Sequence, residues 1–173
     1  EKITLDLLQD FDLIDLSHSL SESIPFWDSS SNFKIAINDN YGDYGFKTHI
    51  YSFDSGFSTH IDSPIHFYEC SNIDVSSIPL KQLFSKLIVI DISNQCSKNS
   101  NYQLSLDDCL DFEKKNGIIE PNSFIICYTS WSDKWYNSNA YRGCDQNGIL
   151  HFPTISKEAA EFLIKKDING IGI

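Results

Sequence analysis

The segment Ser58-Thr59-His60-Ile61-Asp62-Ser63-Pro64-Ile65-His66-Phe67 places two imidazoles and a carboxylate within seven residues. If it is extended, His60 and Asp62 stand two positions apart and project from the same face, with Cα atoms about 6–7 Å apart. Both side chains then reach one cation. Imidazole nitrogen and carboxylate oxygen suit Zn²⁺ or Mn²⁺ and need no thiolate partner. Pro64 lacks an N–H and interrupts a central strand, so the spacing predicts a strand end that turns at Ser63-Pro64 and brings His66 back over the pair from the other side. The same residues also read as two ordinary histidines and an aspartate capping a turn. A lone His-x-Asp does not separate the two readings.

The elements that must position this cluster follow from hydrophobic periodicity. Strand character appears at residues 13–16, in the alternating residues 33–37, and at 46–53, where Phe46, Thr48, Ile50 and Ser52 face away from Lys47, His49, Tyr51 and Phe53. The β-branched runs at 86–93 and 123–129 each predict a buried strand. Between them, Ser105 with Asp108 three residues on forms a capping-box pattern that opens a helix running to Gly117. Residues 156–164 predict a second helix with Ile155, Ala159, Phe162 and Leu163 on one stripe, followed by a strand at 168–173. Residues 29–32, 94–101 and 136–148 read as loops. The expected fold is a single α/β domain with a β-rich N-terminal part and a mixed sheet flanked by helices.

Composition narrows the function classes. The 173 residues carry 13 basic and 24 acidic side chains, a formal net charge of −11, so the chain repels phosphate backbones and a nucleic-acid partner is excluded. The longest apolar runs fall far short of the ~20 residues that cross a bilayer, so no membrane partner is expected. Five cysteines, an odd number with no CxxC pair, argue against a disulfide scaffold and a zinc ribbon. They read as reduced thiols, and with no targeting segment in the first six residues the expected compartment is the cytoplasm. The absence of methionine suggests that Glu1 is not the first codon. Among the other histidines, His18 reads as a turn hydrogen-bond partner, His49 as part of a strand, and His151 as the start of the loop feeding the second helix.

The segment around His60 resembles the signature His-x-Gly-Thr-His-x-Asp-x-Pro-x-His of the cyclase family of metal-dependent hydrolases, which includes kynurenine formamidases and isatin hydrolases. Thr59, His60, Asp62, Pro64 and His66 fall in register. Asp15-Leu16-Ser17-His18 followed by Ile24-Pro25-Phe26-Trp27 is similar to the family's opening strand and Pro-x-Trp turn. Thr129-Ser130-Trp131-Ser132 and Phe152-Pro153-Thr154-Ile155-Ser156 are similar to its Thr-Gly-Trp-Ser segment and Phe-Pro-Gly-Leu-Ser helix start. The resemblance extends from about residue 12 to the C-terminus and implies a swivelling β/β/α fold. It further implies His60 and Asp62 as metal ligands, Asp62 in a bridging position when two metals bind, His66 as catalytic acid/base, and Trp27 lining the substrate pocket.

Two positions depart from the pattern. Gly56 stands where the family places its first ligand histidine, and Ser58 replaces the motif glycine. One ion, Zn or Mn, is therefore expected rather than two. The family's last ligands, a His and a Glu, follow the strand that Gly170-Ile171-Gly172-Ile173 resembles, so residues 1–173 are expected to lack the C-terminal segment of the domain. The expected activity is hydrolysis of a small amide, formamide or lactam, in a homo-oligomer. The alternative, motivated by Gly56, is a catalytically impaired family member that serves as a ligand-binding or structural module.

Overall fold

The computed structural model describes residues 12–26 and 33–173. Trp27 lies outside the described residues. The first pairing is the antiparallel ribbon of β1 (Lys34–Asp39) and β2 (Thr48–Ser52), with Ala36 opposite Ile50 and an irregularity between Ile37 and Asp39. A short helix α1 (Tyr41–Tyr44) joins them, capped by Asn40 and closed by the left-handed Gly45. From there to β3 the chain runs through three 3₁₀ turns, Pro64–His66, Val75–Ser77 and Leu80–Leu83.

The second half is built on a parallel three-stranded sheet in the order β3 (Lys86–Asp91), β5 (Ser123–Tyr128), β7 (Gly170–Gly172). Ile88 pairs with Ile125 and Ile90 with Cys127, and these side chains point to one buried face. Two helices cover that face. α3 (Leu106–Asn116) begins with the expected capping box: Ser105 accepts the Asp108 N–H while the Asp108 carboxylate accepts the Ser105 N–H. α5 (Lys157–Lys165) is capped by Ser156 and buries Ala159 and Leu163. Together with Ile92, Leu104, Cys109 and Ile119 these residues form the main core. The short parallel pair β4 (Gln103–Leu104) and β6 (Thr154–Ile155) ties the start of α5 to the body, with the Ser156 N–H donating to the Leu104 carbonyl. Glu113 on α3 accepts from Lys166 at 2.6 Å and from the Ile119 N–H at 2.7 Å, locking the two helix ends together.

The expected α/β class is observed, with antiparallel and parallel pairings in separate sheets. Several local expectations are corrected. Residues 13–16 are not a strand; Leu13, Ile14 and Leu16 are exposed and no described strand pairs with them. β3 ends at Asp91 and is buried on one face only, with Leu87 and Val89 exposed, because it is an edge strand whose second face no described helix covers. The loop expected at 94–101 contains α2 (Ser93–Lys98), which tucks Cys96 into the core. The loop expected at 136–148 contains α4 (Ser138–Arg142), capped by the Asn137 side chain. Polar, serine- and asparagine-rich helices of five or six residues leave no apolar period to read.

On β7, glycine allows close approach of neighbouring side chains: a Cβ at Gly170 would lie 2.6 Å from the Phe124 ring, and one at Gly172 would lie 2.7 Å from the end of the Ile126 side chain. Cys96, Cys109 and Cys127 are buried and Cys70 and Cys144 exposed, all as free thiols. Among the described residues, no helix is long and apolar enough to cross a membrane.

Candidate metal and acid–base site

The loop after β2 carries the cluster. Its anchor is Phe57, buried and stacked on Phe33 with centroids 5.5 Å apart, next to Ile24. The Phe57 N–H closes a turn onto the Asp54 carbonyl. Ser58 then adopts φ 65°, a left-handed conformation that suits glycine far better than serine. This bend reverses the Ser58 carbonyl towards its own chain, where it accepts from His60 Nδ1 at 2.7 Å. A carbonyl only accepts, so Nδ1 carries the proton and a neutral His60 presents a bare Nε2.

That Nε2 lies 3.5 Å from Asp62 Oδ2. Two lone-pair atoms facing each other at this distance need a cation or a proton between them. A tetrahedral ion about 2.1 Å from each of two ligands holds them about 3.4 Å apart, so the pair fits two corners of such a site. The hydrogen bond from Nδ1 to a carbonyl is also the outer-shell arrangement usual for metal-binding histidines. Beyond Asp62 the chain turns as its proline dictates. Ser63 is buried, Pro64 opens the 3₁₀ turn, and the His66 N–H returns to the Ser63 carbonyl at 2.9 Å. The turn places His66 Nε2 4.0 Å from Asp62 Oδ1. Asp62 thus faces His60 with one oxygen and His66 with the other. The three side chains are 33%, 40% and 47% exposed in chain order, open to a small molecule from solvent.

The strand end expected here is corrected: the segment is irregular, since β2 has ended at Ser52, and Asp62 stands between His60 and His66 on this loop. Among the described residues no group of three or more His, Cys, Asp or Glu side chains is disposed to hold a metal ion; the fit extends to the pair His60 and Asp62. Gly56 lies beside that pair: a Cβ built there would sit 3.5 Å from His60 Nε2, within ordinary contact distance. A longer side chain at this position would enter the site.

The other histidines have separate surroundings. His49 stands opposite Ile37 in the ribbon, its ring tilted against Tyr51. His151 lies between Asn101, 2.9 Å from Nδ1, and Asp145, 3.5 Å from Nε2. His18, expected as a turn partner, makes tertiary contacts instead. Its N–H donates to Thr59 Oγ1 at 3.0 Å and its carbonyl accepts from Ser58 Oγ at 3.4 Å, so both residues before His60 hold it. Its ring stacks on Trp135, 3.7 Å between centroids and 10° between planes. Sequence reasoning missed this stack and the left-handed Ser58. Serine at the family's glycine position was the available signal for the second; the first had none.

Comparison with known proteins follows the same lines. The model of the Cyclase family matches residues 14–173. Isatin hydrolase of Roseibium aggregatum is 26% identical over 117 residues, which cover 66% of this chain and 44% of that protein. Two solved structures superpose with TM-scores of 0.81 at 25% identity over 91% of this chain: isatin hydrolase A from Labrenzia aggregata bound to benzyl benzoate, covering 65% of that chain, and isatin hydrolase A from Ralstonia solanacearum, covering 64%. The chain therefore spans less than half of the curated relative and about two thirds of each solved one.

Proposed function

We propose, from the premise that the chain belongs to the Cyclase family, that it is a metal-dependent hydrolase of a small aryl amide, formamide or lactam. The observation that carries this reading is Asp62 set between two imidazoles, 3.5 Å from His60 Nε2 and 4.0 Å from His66 Nε2. His60 Nε2 and Asp62 Oδ2 are the atoms that would hold a divalent ion, zinc or manganese. Such an ion, when bound, lowers the pKa of water and polarises a carbonyl. The Ser58 carbonyl keeps His60 in the tautomer that leaves Nε2 free. His66 Nε2 takes the proton of the attacking water or delivers one to the leaving nitrogen, a role worth typically 10²–10⁴ in rate. Asp62, facing both imidazoles, orients the two functions towards each other. Trp27, just after Pro25-Phe26, receives the aromatic part of the substrate. The benzyl benzoate bound by the Labrenzia relative, an aryl carbonyl compound, supports an aryl substrate class.

The test combines metal analysis of the purified chain with hydrolysis of isatin and of N-formyl anilides. Stoichiometric metal and a 10²–10⁴-fold rate loss in His66→Ala are expected. Full metal-dependent activity in His66→Ala would refute the mechanism. Gly56, where the family pattern has a ligand, favours a second reading, a binding module without catalysis. Under that reading the protein holds no stoichiometric metal, and Asp62→Asn leaves ligand binding intact.

A further inference from the structure

Next to the loop that carries His60 lies a cavity of about 460 Å³, lined in part by His18, Trp135, Ser17, Ser19, Ser21 and Ser23. Its size is that of small-molecule sites. Three observations define its chemistry. First, it has a fixed aromatic wall: Trp135 is stacked on His18, meets Tyr141 edge-on at 5.1 Å, and packs against the cluster of Ile24, Phe33 and Phe57. Second, among the described residues no aspartate or glutamate lines it. Of the carboxylates beside the lining segment, Asp15 accepts from the Ser17 N–H and Glu22 from the Ile35 N–H. Third, the imidazole nitrogens of His18 make no hydrogen bond among the described residues, whereas its backbone groups are both held by Ser58 and Thr59.

A flat wall, an imidazole with no ring hydrogen bond among the described residues, and serine hydroxyls, with no carboxylate among the described lining residues, match one ligand class. We propose that this cavity binds aryl carboxylates, the ring lying against the Trp135–His18 wall and the carboxylate accepting from His18 and neighbouring serines. The inference deepens the function proposed above. Hydrolysis of an amide whose acyl side carries the aryl group, or of an aryl-fused lactam, breaks the C–N bond, adds OH to the carbonyl carbon and H to the nitrogen, and gives an aryl carboxylic acid. The amine is separate from the amide and tethered from the lactam, and the acid loses its proton at neutral pH. The cavity is then the product-side acid subsite, held to the reacting residues through the Thr59–His18 hydrogen bond. Its place in the reaction rests on that reading; the binding does not.

The experiment is titration of the intact chain with benzoate and with benzamide, a pair of equal shape and different charge, followed by ¹H–¹⁵N spectra. Saturable movement of the Trp135 indole N–H is expected with benzoate. The Trp131 indole N–H, bonded to the Tyr141 carbonyl at 2.8 Å, should stay in place. A hydrogen bond to a charged acceptor is stronger than one to a neutral acceptor, so benzoate should bind about fivefold more tightly than benzamide. His18→Phe keeps a stacking ring and loses the donor, and should bring the two affinities to parity. Absence of saturable movement at Trp135, equal affinities in the wild type, or an undiminished preference in His18→Phe would each overturn the proposal. Loss of benzoate binding in Asp62→Asn would also overturn it, by assigning the ligand to the metal pair. A wild-type chain that binds benzoate but hydrolyses no amide removes the proposed function and leaves the subsite standing.

Discussion

Replacing Ser58 tests whether the loop that carries His60 is held in a costly backbone conformation. Ser58 has φ 65°, where an L-residue is disfavoured by about 1–2 kcal/mol. Glycine avoids that cost but loses about 0.5–1 kcal/mol more chain entropy on folding than alanine. The hydroxyl's bond to the His18 carbonyl is long at 3.4 Å and is worth about 0.5 kcal/mol. Ser58→Ala removes the hydroxyl and keeps the Cβ, so it should destabilise by about 0.5 kcal/mol. Ser58→Gly loses the same bond but is relieved of the left-handed cost, a difference of about 0.5–1 kcal/mol in its favour. For a chain of this size that corresponds to about 1–4 °C in Tm between the two variants. Thermal and urea unfolding of both variants measure it. His60 is held by the Ser58 carbonyl and not its hydroxyl, so metal titration should give the same affinity for both. The reasoning fails if alanine is as stable as glycine at position 58. Ser130 offers an internal repeat at φ 57°, also at a glycine position of the family, and Ser130→Gly against Ser130→Ala should show the same sign.

Three further outcomes follow from the geometry. Gly56→His, at a position without positive φ and with its Cβ site 3.5 Å from His60 Nε2, should tighten zinc binding at least tenfold by calorimetry; unchanged affinity would remove Gly56 from the site. Burial pushes the Glu113 carboxyl up, but the Lys166 hydrogen bond, the Ile119 N–H and the Lys166 charge together hold it below its ordinary value of 4.5. The pair's stability is therefore present above that value and lost as pH falls through the lowered folded value. Glu113→Gln should cost about 1–3 kcal/mol at pH 7, a difference from wild type that disappears in acid unfolding curves. Burial pushes the Cys109 thiol up to about 11 and the Cys127 thiol up to about 12, so at pH 8 their thiolate fractions are about 10⁻³ or less. With Cys96 also buried, a thiol reagent should modify Cys70 and Cys144 quickly and the other three only on unfolding.

Features closed by contacts a few residues apart were legible in the sequence. The capping box at Ser105 and Asp108, the strand runs around Ile88, Ile90 and Ile125, and the turn at Pro64 all follow from spacing, from β-branched runs and from the donors each residue has or lacks, whereas the parallel pairing of the two strands does not. The closeness of Asp62 to His60 and His66 also lies within a few residues, through the short spacing and the turn at Pro64, although the strand parity expected of the segment is not observed. Helices α2 and α4 were not legible, since residues such as Asn94, Gln95, Asn139 and Arg142 carry no apolar period. Nor was the exposure of Leu13, Ile14 and Leu16, as β-character alone does not supply a partner strand.

The amino-acid sequence by itself determined the chemistry offered at residues 60–66 and the α/β alternation that follows. Those are properties of neighbouring residues, whose geometry a short peptide already restricts. Only the tertiary structure decided how that chemistry is held. The left-handed bend at Ser58 persists because Phe57 is stacked on Phe33 and the hydroxyls of Ser58 and Thr59 both bond to the His18 backbone. The aromatic wall exists because His18 and Trp135, remote in sequence, are pressed together by the cluster around Ile24. Packing across the chain, and not local propensity, supplies the energy for both.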